Sequence, residues 1–112
     1  MNVPNHLKAP GRRLWRAATA DYSIDAAGLE LLRLAAESLD RADEARQAIA
    51  KDGPYIAGRY AGNVRPHPAL AVERDSRLAA ARLIKELGLA NPPEHPPIAA
   101  TPRRGPKTAA SR

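Results

Sequence analysis

Residues 23–53 read SIDAAGLELLRLAAESLDRADEARQAIAKDG, and the rest of the chain is arranged around them. Apolar residues recur at Leu32, Ala35, Leu39, Ala42, Ala45 and Ile49 in steps of three or four, the spacing that lines one side of a helix. Leu31 and Leu34 fall beside that line, so both are expected to meet a second copy of the chain at an oligomer interface. At the front, Ser23 or Asp25 can accept a hydrogen bond from the first free amides. At the back, Lys51 suits the negative end of the helix, and Gly53 can take the left-handed conformation that stops it, with Pro54 next. The pattern predicts a helix of roughly 27 residues, about 40 Å long at ~1.5 Å per residue. So long a rod in so short a chain needs a partner element.

The partner lies downstream. Pro66 and Pro68 bracket His67 and break preceding structure, and Pro68 suits the first turn of a second long helix ending near Leu87, with Gly88 behind it. Val72, Ser76, Ala79, Ala80, Leu83 and Leu87 are its expected inner positions, and the charged residues between them, Arg74, Arg77 and Arg82 included, are expected in surface ion pairs. Between the two helices runs GPYIAGRYAGNVRPHP, residues 53–68. Its turn formers Gly58, Gly62 and Asn63 and its strand formers Tyr55, Ile56, Tyr60 and Val64 predict a small β-hairpin or extended loop, so the long helices lie antiparallel.

Upstream, GRRLWRAATAD, residues 11–21, fits a short helix with Leu14, Trp15 and Ala18 on one side and Arg12, Arg13 and Arg16 on the other. Trp15 is expected to pin this helix to the long one. The expected fold is all-α: an antiparallel pair of long helices, a short N-terminal helix and a small hairpin or loop. Residues 1–10 read as a flexible basic arm and 11–89 as one helical domain. Residues 90–112, rich in proline, lysine and arginine, read as a disordered basic tail.

The chain has 112 residues, no cysteine, no phenylalanine and one tryptophan. Its core must come from leucine, isoleucine and alanine, which bury little area per residue, and no disulfide can reinforce it, so self-association is expected. The net charge of +6 sits at the ends. Residues 1–20 carry Lys8, Arg12, Arg13 and Arg16 and no acid; residues 91–112 carry Arg103, Arg104, Lys107 and Arg112 against Glu94 alone. A nearly neutral middle with cationic ends points to a polyanion, because basic groups gain affinity by releasing counterions from phosphates. The expected DNA-binding residues are Lys8, Arg12, Arg13, Arg16, Arg59, Arg65, Arg103, Arg104 and Lys107.

Nothing in the pattern points to catalysis. His6, His67 and His95 are scattered with no ligand spacing between them, so no metal and no cofactor is expected. Asp40, Asp43 and Glu44 have arginines in helical register and are expected as a solvated, paired face. There is no phosphate-binding glycine loop and no serine-nucleophile motif. No apolar run approaches the roughly 20 residues that span a bilayer, and the first residues lack the pattern of a signal peptide, so no membrane contact and a cytoplasmic location are expected.

Taken in order, Trp15, the segment DAAGLELL at 25–32, Gly53, the segment GNVRPHP at 62–68 and its continuation HPALAVERDSRLAAARLIKELGL at 67–89 resemble the P27-type family of phage terminase small subunits. The resemblance covers about residues 10–89. The chain departs from it after Leu89, where Ala90-Asn91-Pro92-Pro93 stands in place of a threonine, a proline and an arginine. The resemblance implies a non-catalytic subunit that forms a homo-oligomeric ring, binds double-stranded viral DNA and delivers it to the large terminase subunit, which holds the ATPase and nuclease. The residues alone leave two rivals: a dimeric DNA-binding regulator, and a helical adaptor that binds only protein.

Overall fold

The computed structural model describes residues 2–60 and 62–89. Three helices and one hairpin follow in order: α1 Ala9–Asp21, α2 Ala26–Asp52, β1 Tyr55–Ala57, β2 Val64–Pro66 and α3 Pro68–Glu86. The expected basic tail lies outside the described residues.

α2 forms where the periodicity predicts it. Asp25 caps it, its side chain accepting from Gly28 N–H at 2.8 Å. Gly53 ends it at φ +85°, a backbone conformation that L side chains rarely adopt. Leu32, Ala35, Ala36, Ala42 and Ala45 are buried. α3 lies antiparallel along it: Asp52 meets His67, and six residues back along α2, Arg46 meets Glu73, six residues on along α3. Leu32 and Leu87 then fall in one core at the far end. Of the expected inner positions of α3, Ser76, Ala80 and Leu87 are buried and Ala79 and Leu83 half-buried, but at its start Ala69 is buried in place of Val72. Val72 is 41% exposed, and the half-buried Glu73 takes the inward-leaning position, its carboxylate reaching Arg46.

The strands pair antiparallel, with Tyr55 opposite Pro66, Ile56 opposite Arg65 and Ala57 opposite Val64. α1 packs on α2 through Trp15 and Ala18, as expected of Trp15; the tryptophan Nε1 is buried without a hydrogen-bond partner among the described residues.

The N-terminal end departs from expectation. The sequence predicts an arm over residues 1–10, yet Leu7 is only 2% exposed, Val3 packs on the core and α1 starts at Ala9. The cause is tertiary. Asp40 of α2 is buried and caps α1 from outside, Oδ1 accepting from Gly11 N–H at 2.7 Å and Oδ2 from Lys8 N–H at 2.7 Å. So Asp40 does not stand on a solvated, paired face. Leu31 is half-buried and packs against the chain's own core, whereas Leu34 stays 42% exposed.

Candidate nucleic-acid interface

The cations expected to bind phosphate fall into two groups that the fold keeps apart. Lys8, Arg12, Arg13 and Arg16 lie at and on α1, beside the middle and first half of α2. Arg59 and Arg65 lie on the hairpin. Asp40, beside the start of α1, is twelve residues from Asp52 at the hairpin end, about 18 Å along the α2 axis. Arg103, Arg104 and Lys107 lie outside the described residues.

Within the first group the side chains are not equivalent. Arg12 is half-buried and folds back: Nε donates to Leu7 O at 2.7 Å and an Nη to Asn5 O at 3.3 Å. Its guanidinium therefore holds the turn ahead of α1 in place. Lys8 Nζ stands 3.9 Å from Glu44 Oε2. Arg13 and Arg16 are exposed, and no hydrogen bond or ion pair joins either side chain to a described residue.

Arg13 does not stand alone. It lines an open cleft of about 430 Å³ together with Arg46 of α2 and Arg77 of α3, over a floor that includes Pro10, Leu39 and Ala42. Asp43 and Glu73 border the same cleft, but each is engaged, Asp43 accepting from Gln47 at 2.7 Å and Glu73 facing Arg46 at 3.4 Å. Arg13 and Arg77 are left without a carboxylate partner among the described residues. Arg77, expected in a surface ion pair, thus joins the cationic surface, and Arg46 stands beside it. No local pattern announces this convergence, because the three arginines come from three helices. Once Asp52 is set against His67, the antiparallel register brings Arg46 and Arg77 to neighbouring turns.

The hairpin presents its cations differently. Arg59 and Arg65 are exposed, and residues 53–66 contain no aspartate or glutamate. Its base is fixed. His67 Nδ1 accepts from Ala69 N–H at 2.9 Å, which leaves the ring proton on Nε2 to be donated to Asp52 Oδ2 at 2.9 Å. The His67 N–H also donates to Pro54 O at 2.8 Å. This histidine joins the end of α2 to the start of α3. Among the described residues no three His, Cys, Asp or Glu side chains gather where they could hold a metal ion. No helix among the described residues is long and apolar enough to cross a membrane.

In the N-terminal turn, His6 Nε2 lies 2.6 Å from Glu37 Oε2, and Arg33 bonds the same carboxylate at 2.9 Å. Burial raises the pKa of Glu37, but the hydrogen bonds from His6 and Arg33, with the charge of Arg33, outweigh it and hold the group below its ordinary value.

A family model described as phage terminase, small subunit, matches residues 12–94. No curated protein and no solved structure matches the chain.

Proposed function

Because the chain belongs to the phage terminase small-subunit family, with a role in phage genome packaging, we propose that it self-associates, binds double-stranded viral DNA and delivers it to the large subunit. In this reading it is the P27-type, non-catalytic adaptor of the motor, and the ATPase and nuclease sit on its partner. The observation that supports DNA binding is a group of exposed arginines that meet no carboxylate among the described residues: Arg13 and Arg16 on α1, Arg77 on α3, and Arg59 and Arg65 on the hairpin, a condition that Arg41 of α2 and Arg82 of α3 share. A guanidinium with no internal partner keeps its donors for phosphate oxygens. Arg103, Arg104 and Lys107 extend the same cationic character along the sequence. Arg12 has a structural part, since its donors hold the carbonyls of Leu7 and Asn5.

Self-association is supported by the apolar side chains that the fold leaves outside, Leu34, Val72 and Leu78. A closed ring of copies would repeat each weak phosphate contact around one axis, so that many modest contacts act together.

The test is binding of a fluorescent 40-base-pair duplex to the full chain, followed by anisotropy as salt is raised. The expected result is an affinity that falls steeply with salt. Substituting Arg13→Ala, Arg16→Ala and Arg77→Ala together should reduce the log–log slope, by about one for each phosphate no longer neutralised. An affinity and slope unchanged by the triple substitution would remove these residues from the interface.

A further inference from the structure

We propose that the β1–β2 ribbon enters the major groove of duplex DNA and reads base edges there, while the helix arginines hold phosphates. This rests on the proposed DNA binding and assigns the recognition step within it.

The ribbon has almost no internal reason to exist. Of its six strand residues only Ile56 is half-buried, and Tyr55, Tyr60 and Val64 are 62%, 67% and 72% exposed. A two-stranded ribbon is marginal on its own, and three large exposed side chains within ten residues call for a partner. The charge selects which partner: Arg59 and Arg65 are present and no acid is. An anionic surface satisfies both the arginines and the lack of carboxylates.

Geometry narrows the choice further. Residues opposite one another across an antiparallel pair share a face, so Tyr55, Ala57, Val64 and Pro66 line one side and Ile56 with Arg65 the other. The loop is closed by Gly58 N–H donating to Asn63 O at 2.9 Å and Asn63 N–H donating to Tyr60 O at 3.1 Å. A Cβ on Gly58 would stand 3.0 Å from that of Asn63, so the two sides approach closely there. The result is a narrow ribbon held at its base by His67. The major groove, about 12 Å wide and 8.5 Å deep, admits a two-stranded ribbon. There an arginine can donate twice to guanine O6 and N7, an asparagine can pair with adenine, and apolar side chains meet thymine methyls. Arg59 and Asn63 in the loop and Arg65 on one face of the ribbon supply those polar groups, and Tyr55 and Val64 form the apolar face on its other side.

The experiment compares the full chain on one 40-base-pair duplex and on its counterpart with every guanine replaced by 7-deazaguanine, which removes a major-groove acceptor and leaves phosphates and minor groove intact. The wild-type chain is expected to bind the modified duplex more weakly, by roughly tenfold for one arginine deprived of its guanine N7, and the Arg59→Ala/Arg65→Ala variant to bind both alike. The Arg13→Ala/Arg16→Ala variant should keep the discrimination at lower overall affinity. Equal binding of both duplexes by the wild type overturns the proposal and leaves the proposed DNA binding standing. Discrimination retained by Arg59→Ala/Arg65→Ala, with loss of assembly mass in light scattering, also overturns it and puts the ribbon against another copy. Failure of the wild type to bind either duplex at low salt overturns both.

Discussion

At the scale of single residues, Asp40 decides how the N-terminal third is attached. Its two oxygens accept from two backbone amides of another segment, in a site where Gly11 leaves no room: a Cβ there would stand 2.8 Å from Ala36 O and from Asp40 Oδ2. Removing the carboxylate strands one buried donor, the Gly11 N–H, and one part-buried donor, the Lys8 N–H. Asp40→Ala is therefore expected to cost about 2–3 kcal/mol in urea unfolding. Gly11→Ala should cost about 1–3 kcal/mol through crowding alone. Neither effect is legible in the sequence, because Asp40 sits among Arg41, Asp43 and Glu44 and its surroundings there are those of a solvated face. Glu37 adds a pH dependence. Its folded pKa lies below the ordinary value of 4.5, so below that value the unfolded chain binds more protons. The contribution is present above about pH 4.5 and is lost as pH falls through the folded value. The pair is partly exposed, and the amount is at most about 1 kcal/mol. Glu37→Gln should flatten the fall in stability between pH 6 and pH 3; an unchanged profile would show that another carboxylate governs it.

At the scale of elements, the junction at His67 couples helix to hairpin to helix. Replacing His67 with alanine removes the cap on Ala69 N–H and the bond to Asp52 together, with an expected cost of about 1–2 kcal/mol measured by thermal melting. Exchange of the ribbon amides in that variant should quicken before that of α2, because the ribbon has little other support. The elements differ in how openly the sequence declares them. α2 is legible end to end, since an unbroken three-and-four pattern, Asp25 and Gly53 are all local signals. The hairpin is legible from Gly58, Gly62 and Asn63, which punctuate a run of strand formers. α3 is legible in extent and along most of its inner line but not at its start: Val72 and Ala69 both fit a stripe through Ser76, and only packing against α2 turns Ala69 inward. The start of α1 is hidden because its cap comes from another helix. The cleft of Arg13, Arg46 and Arg77 is hidden for the same reason, since none of the three is near another in sequence.

At the scale of the whole molecule, bulk is unevenly distributed. The largest fully buried side chains, Leu7, Leu32 and Leu87, gather where α1 covers the helical pair, with Trp15 beside them. Towards the hairpin the buried positions are Ala42, Ala45, Ala69, Ser76 and Ala80. Small side chains let two helices approach closely but bury little area, so that half gains little from its own core. Val72 and Leu78 stand exposed on α3, at 41% and 61%. Self-association that covers them is the physical remedy, and Val72→Asp with Leu78→Asp is expected to reduce the assembly to single chains while leaving the helical signal in place. The central claim joins the two halves of the account: copies of this chain assemble, and the assembly presents unpaired arginines to a duplex. Light scattering of the full chain mixed with a 40-base-pair duplex at low salt tests it most directly. The account predicts one species whose mass is several 12.0 kDa chains plus DNA; a single free chain beside an unbound duplex would contradict it.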